Sequence, residues 1–563
     1  MGKIKKILAL AAASVTAFFV LSSTSVQADE DVERIYGENR YETAVKISKA
    51  GWEGGSDVVF IARGNDFPDA LSGTPLAHKY NAPILLSRTA GLSGETLNEI
   101  ERLQAGQAVI LGGENAVSPD VEETLLALGL TVDRIGGENR YETSVLIANE
   151  LSQADDAFVA SGRNYPDALA AAPVAANHGV PILLTSENYL PDVTETFIEE
   201  RGFVQTTVIG GSAVIDEEVE AQLPSPVRIS GENRYETAAA IAEQLAVPGN
   251  HAYIATGTDF ADALTGSVLA AKNETVMLLT SSDRARESVI RYVVNNRIDT
   301  SALLGGESAL STEVKVDLAE AHEYVHPLDV LIADAEDGTL LEKTDAYEAP
   351  FAQNNYHGDV DAEEPFTFQE GRENARVLIT APHTTRTIRD GNPKSQEFYT
   401  GAITLSLQEY TGAHVLYTTK KTQDPNHYDP VPFKEELERV IDQYEIDLVL
   451  DIHGAAASWP FAMDIGTNDG ELVSAHRPAA LMNAYRELGI FNVYENYHFN
   501  ASAPERIANY SFNQLGVEAM QLKFNRSLRS PDTNLEAYVN GLYGMISYLE
   551  TEDPAFPWSP ADE

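Results

Sequence analysis

The chain reads as α/β throughout: three tandem α/β repeat modules, then a further α/β domain built on an open sheet. Three observations point there. One set of landmarks recurs three times, in the same order, before about residue 321. Within each copy, apolar runs such as Val58-Val59-Phe60-Ile61-Ala62 alternate with amphipathic helical stretches such as Glu42 to Ser48, the pattern of a parallel sheet with crossover helices. Beyond Ala321 the repeat stops, and a new series of strands begins, two of which run into histidines.

Composition narrows the function classes. Over 563 residues, acids outnumber bases 86 to 39, a formal net charge of −47. A general phosphate-backbone binder needs a basic footprint, so no nucleic-acid partner is expected. Cysteine is absent, which excludes disulfides, thiolate metal sites and thiol nucleophiles. At the start, Lys3, Lys5 and Lys6 precede an apolar stretch from Ile7 to Leu21 and a small-residue end at Val26-Gln27-Ala28. That is a secretory signal peptide, expected to be cleaved after Ala28. The apolar run is about 15 residues, short of the roughly 20 that span a bilayer. No membrane span is expected once the signal is removed.

The first copy opens with Arg34-Ile35-Tyr36-Gly37-Glu38-Asn39-Arg40-Tyr41-Glu42-Thr43, the second at Arg134 and the third at Arg228, spacings of 100 and 94 residues. Gly64 to Leu71 recurs as Gly162 to Leu169 and Gly257 to Leu264, and Ile110 to Gly113 as Val208 to Gly211 and Leu303 to Gly306. Asn39 with Glu42 has the spacing of a helix N-cap and third residue, as do Asn139 with Glu142 and Asn233 with Glu236. Asp66 with Asp69, Asn164 with Asp167 and Asp259 with Asp262 are expected to cap a second helix in the same way, with ligand contact as the alternative. Arg40 and Tyr41 are not explained by capping and are read as joining modules together.

These landmarks resemble the type 2 cell-wall-binding repeat family of Gram-positive surface proteins. The resemblance implies a pseudo-threefold unit that holds an exported protein on the wall through an anionic polymer. It places the chain at the cell wall or surface of a Gram-positive bacterium. With so acidic a chain, helix N-termini and a few arginines are the expected anion contacts rather than a basic patch.

In the remainder, Val377-Leu378-Ile379-Thr380 leads to His383, and Leu448-Val449-Leu450-Asp451-Ile452 leads to His453. Helices are expected from about Ser395 to Tyr410 and from Phe433 to Tyr444, and a late strand from Val517 to Phe524. Open α/β sheets place sites at strand carboxyl ends. His383, Glu397 and His453 form the donor set: two imidazoles and a carboxylate suit one zinc ion with a position left for water. Glu397 is expected in the first turn of a helix, reached by the loop Thr384 to Gln396. Ordinary hydrogen-bonded histidines at strand ends are the alternative.

Pro382-His383, Glu397-Phe398-Tyr399-Thr400-Gly401, Asp451-Ile452-His453-Gly454 and Ala519 to Arg526 resemble the N-formylglutamate amidohydrolase family. That resemblance implies a zinc hydrolase with the carboxypeptidase-like sheet and His383, Glu397 and His453 as ligands. Zinc N-acetylmuramoyl-L-alanine amidases share a similar His, Glu, His order. Where the family carries a proton-shuttling glutamate, this chain has Lys523. A lysine cannot be a carboxylate base, although it can stabilise developing negative charge. Lys523 and Asp451 are the candidate catalytic residues, Asp451 also as a partner of His453. Arg526 and Arg529 are the candidates for clamping a substrate carboxylate.

The chain is thus divided into a signal peptide at 1–28, repeats at 31–125, 126–222 and 223–322, an acidic connection at 323–364, an amidohydrolase-like domain at 365–552 and a tail at 553–563. The expected function is wall-attached, zinc-dependent hydrolysis of an amide or peptide substrate, with a non-catalytic wall-binding protein as the alternative.

Overall fold

The computed structural model describes residues 31–246 and 249–552. The signal peptide and the tail lie outside them. The chain divides into two compact units, 1–324 and 325–563. Among the described residues no helix is long and apolar enough to cross a membrane.

The first unit holds three four-stranded parallel sheets, and they do not coincide with the sequence copies. Strand Thr131–Ile135 opens the second copy but pairs with Gln107–Leu111 of the first. Strand Pro226–Ile229 opens the third but pairs with Gln205–Ile209 of the second. Val32–Ile35, which opens the first, pairs with Thr300–Leu304 of the third, so the unit closes as a ring. The opening arginine of each motif pins the exchange. Arg34 donates to the carbonyls of Gly305 and Leu310, Arg134 to those of Gly112 and Val117, and Arg228 to those of Gly210 and Ile215.

The expected caps form in all three copies. Asn39, Asn139 and Asn233 each accept two backbone N–H bonds at the start of helices Arg40–Gly51, Arg140–Asn149 and Arg234–Leu245. Glu42, Glu142 and Glu236 reach back to the N–H of Glu38, Glu138 and Glu232, completing reciprocal capping. Arg40 joins modules as expected: it donates to Gly64 O of its own copy and, at 3.0 Å, to Asp259 of the third.

The second set of caps is different. Helix Pro166–His178 begins without a side-chain cap, while at helix Ala261–Lys272 Asp259 accepts the Ala261 N–H at 3.2 Å. Asp69, Asp167 and Asp262 instead stand against the turn glycines Gly112, Gly210 and Gly305, whose φ of about +108° only glycine adopts freely. The Thr143 hydroxyl of the second copy donates to Asp69 at 3.1 Å, so this aspartate faces the neighbouring repeat. Between the copies, Phe67, Tyr165 and Phe260 give one ring each to a triangle with centroids 5.2, 5.7 and 6.0 Å apart.

The second unit is a seven-stranded mixed sheet. Its order is Phe366–Gln369, His414–Thr418, Val377–Ala381, Leu448–Ala455, Glu518–Asn525, Met463–Gly466, Val493–Glu495, with four parallel strands at the centre. The stretch read as an acidic connection belongs to this unit. Helices Pro327–Asp337 and Thr339–Tyr356 carry Leu331, Leu340 and Phe351 into its core, and Glu348 of the second helix is buried with them. Apolar residues spaced for one buried face outweigh the acidic average of the stretch.

Candidate metal centre

Val377–Ala381 and Leu448–Ala455 are adjacent parallel strands. His383 follows the first by two residues and His453 lies inside the second, so both arrive at one carboxyl end of the sheet. Glu397 is not in a helix, contrary to expectation: the helix begins only at Thr400, after Tyr399 in the left-handed region at φ +61°. The loop between folds as a hairpin, Thr387–Arg389 against Asn392–Lys394, and the Glu397 N–H bonds His383 O at 2.9 Å.

The three side chains meet. His383 Nδ1 lies 3.2 Å from His453 Nδ1 and 3.4 Å from Glu397 Oε1, and His453 Nδ1 lies 2.9 Å from Glu397 Oε2. A tetrahedral zinc with bonds of about 2.0–2.1 Å separates neighbouring donors by roughly 3.3 Å, so the spacing fits such an ion. The far nitrogens are engaged behind. His383 Nε2 meets Asp424 at 2.8 Å and His453 Nε2 meets Asp451 at 2.8 Å. A carboxylate only accepts, so His383 Nε2 carries the proton and its Nδ1 is left to face the centre, whereas His453 Nε2 faces both an acceptor, Asp451, and a donor, Asn426. The Asn426 amide abuts His453 Nε2 at 2.7 Å, held by the Ile507 N–H on its oxygen.

The buried charges of the centre offset one another. Burial works against charge on His383, but Glu397 and Asp424 outweigh it and raise the imidazole above its ordinary value. Burial alone would raise Glu397; Lys523, His453 and His383 hold it well below the usual carboxylate range. Asp451 is lowered in the same way, burial being outweighed by His453 and the Thr380 hydroxyl. Of the five residues that could hold or support an ion, four are nearly sealed from solvent, His383 at 1% and His453, Asp451 and Asp424 at 0% exposure, while the Glu397 side chain is 13% exposed.

The remaining candidates separate. Lys523 is at the site, its Nζ 3.5 Å from Glu397 Oε1 and 5.3 Å above the Phe499 ring. Asp464, across the sheet from Lys523, accepts the N–H groups of Tyr497, His498 and Phe499. Asp451 is wholly enclosed, so it holds His453 and does not reach a substrate. Arg529 is 5% exposed and spends its fork on the carbonyls of Phe398, Phe524 and Ala455, which leaves it no role as a substrate clamp. Arg526 is exposed beside the Phe398 ring at 5.7 Å and stays open to solvent.

Sequence reasoning missed Asp424, which also binds Arg389 through two nitrogens at 3.1 and 2.6 Å and lies 3.6 Å from Lys394. A histidine ligand needs an acceptor for its second nitrogen, and that requirement directs attention to acids in the loop after the neighbouring strand His414–Thr418. Asp424 and Asp429 are both there, and spacing does not choose between them.

Residues 34–122, 134–220 and 228–315 each match the family model of Cell wall binding domain 2 (CWB2). N-acetylmuramoyl-L-alanine amidase LytC of Bacillus subtilis (strain 168) is 35% identical over 295 residues, 52% of this chain and 59% of the relative. Amidase enhancer of the same organism is 34% identical over 310 residues, 54% of this chain and 42% of the relative. The chain therefore spans about half the length of these curated relatives. Among solved structures, N-formylglutamate amidohydrolase from Ralstonia eutropha JMP134 aligns at 14% identity and TM-score 0.24, covering 33% of this chain and 97% of that one. Three copies of one motif and three exchanged parallel sheets coincide with the three matches to the Cell wall binding domain 2 model, over residues 34–122, 134–220 and 228–315.

Proposed function

We propose that this is an exported protein, attached to a bacterial wall by its three repeats, whose second unit is a zinc-dependent hydrolase of an amide bond close to a carboxylate. The convergence of His383 Nδ1, His453 Nδ1 and Glu397, with both outer nitrogens occupied by buried aspartates, carries this reading. His383, Glu397 and His453 would hold the zinc. When bound, zinc supplies Lewis-acid polarisation of a carbonyl and activates water for attack.

The chain's own residues do the rest. Asp424 and Asp451 orient the two imidazoles, and Asp424 keeps the His383 proton on its outer nitrogen. Lys523 sets an ammonium beside Glu397 where the amidohydrolase resemblance calls for a glutamate base. Arg526, exposed beside Phe398 in a chain of net charge −47, adds positive charge next to the Glu397 loop, which favours a substrate bearing a carboxylate. Wall peptides supply amide bonds next to carboxylates where the repeats hold the chain. The names of the two Bacillus relatives, an amidase and an amidase enhancer, support an amidase role at the wall.

Lys523 also favours a second reading, a wall-binding protein whose hydrolase site has lost its base and retains a ligand. Metal analysis and a substrate panel separate the two. The purified chain is expected to hold one zinc, lost in the double variant His383→Ala, His453→Ala, and to release amine from N-acyl amino acids or wall peptides. Full zinc in the double variant would place the metal elsewhere. Zinc in the natural chain without turnover on either substrate class would establish the second reading.

A further inference from the structure

We propose that Glu348 and Arg529 are positioning residues that grip one peptide unit, Phe398–Tyr399, from both ends and so set the place of the Glu397 carboxylate. The proposal rests on the reading of Glu397 as a metal ligand.

Glu397 lies in a loop, where nothing in regular structure fixes its backbone. The residue two positions on, Tyr399, has φ +61°, a conformation that non-glycine residues adopt at a cost. Rotation of the intervening peptide would relieve Tyr399 and swing Glu397 away from the histidines. Two buried side chains oppose that rotation, the Arg529 guanidinium and the Glu348 carboxyl, whose pKa burial raises to about 7. The Phe398 carbonyl accepts from the Arg529 guanidinium, and the Tyr399 N–H of the same peptide donates to Glu348 Oε1 at 3.0 Å. The guanidinium faces the oxygen and the carboxyl faces the hydrogen. A flipped peptide would point its carbonyl at a carboxylate and its N–H at a guanidinium. Glu348 is 7% exposed and Arg529 5%, so solvent screens neither interaction strongly.

Both grips are anchored. Arg529 is tied at 3.3 and 3.1 Å to Phe524 O and Ala455 O, the ends of the strands that carry Lys523 and His453. Gly454 makes room for it: a Cβ there would lie 2.6 Å from the guanidinium carbon, while its N–H bonds Glu397 Oε2 at 2.9 Å. Glu348 also accepts the Tyr356 hydroxyl at 3.1 Å, and the Tyr356 ring meets Phe398 edge-on at 5.0 Å. Helix Thr339–Tyr356, which precedes the stretch resembling the amidohydrolases, thereby becomes part of the site.

The test compares the natural full-length chain with Glu348→Ala and Glu348→Gln. It reads zinc affinity of the metal-free protein against a chromophoric chelator, and amide hydrogen exchange of residues 397–400 without metal. Glu348→Ala is expected to weaken zinc binding about tenfold or more and to speed exchange at Tyr399. Glu348→Gln, whose amide oxygen still accepts both bonds, is expected to restore both. Unchanged exchange and affinity in Glu348→Ala, or equal losses in the two variants, would overturn the clamp. If the natural chain takes up no zinc but Tyr399 exchange follows the Ala and Gln pattern, the clamp stands and the metal reading falls. Should Glu348→Ala not fold, Arg529→Lys reads the other end, because one ammonium cannot reach three carbonyls; natural exchange at residues 397–400 there would refute the proposal.

Discussion

Lys523 is the side chain on which the chemistry turns. Its ammonium sits 3.5 Å from Glu397 Oε1, on the face of strand Glu518–Asn525 that looks toward the histidines. An ammonium there neutralises the ligand carboxylate and opposes the approach of a cation. A positioned general base is worth about 10²–10⁴ in rate. Lys523→Glu is therefore expected to raise amide hydrolysis about tenfold or more, measured at matched zinc occupancy on N-acyl amino acids and wall peptides. The new carboxylate faces Glu397, and two such groups repel without a metal between them, so metal-free Lys523→Glu should also melt below the natural chain. A natural enzyme that is strongly active, and that loses activity in Lys523→Glu, would assign the lysine a working role in stabilising charge.

At the scale of elements, the seams between repeats hold carboxyl groups away from water. Burial pushes Asp167 and Asp262 up to about 6 from an ordinary 3.8; Arg234 opposes this at Asp167, while at Asp262 Asp259 adds to it and Arg40 opposes it. Asp262 Oδ1 has no hydrogen-bond partner among the described residues. Because the folded chain binds these two protons more tightly than the unfolded chain, stability falls as pH rises from about 4 to about 6 and levels off above that. Thermal unfolding of the full chain followed from pH 4 to pH 8 should show this decline in the transition of the repeat unit. The double variant Asp167→Asn, Asp262→Asn should flatten it and raise the midpoint at pH 7. A slope that survives in the double variant would shift its origin to the general repulsion of an acidic chain.

At the scale of the whole molecule, the repeats are a closed ring, because Val32–Ile35 completes the sheet of the third copy. Val32 is fully buried in that pairing. A charge there is costly to bury, by several kcal/mol. Val32→Asp should therefore raise hydrogen exchange in Thr300–Leu304, some 270 residues away in sequence, and reduce sedimentation of the full chain with purified walls. Loosening confined to residues of the first copy, with Thr300–Leu304 still protected, would contradict ring closure.

Local chemistry made much of this legible from the sequence. The caps at Asn39, Asn139 and Asn233 were readable because an N-cap and its glutamate lie within one helical turn, where spacing alone dictates contact. His383 and His453 were readable for a similar reason: apolar strands end where the sheet's sites lie, and side-chain types limit what such an end can do. What lay beyond the sequence depends on partners far apart in it. The exchanged strands, the turn to which Asp262 docks, the choice of Asp424 behind His383, and the diversion of Arg529 from substrate to the Phe398 carbonyl all follow from which loops the sheets bring side by side. Glu397 shows the division within one residue. Its type suits a metal and its order between the histidines was visible, but its loop is held by Glu348, 49 positions earlier, and Arg529, 132 positions later. A buried charge finds the partner that desolvation forces on it, and only the folded chain decides which partner is near.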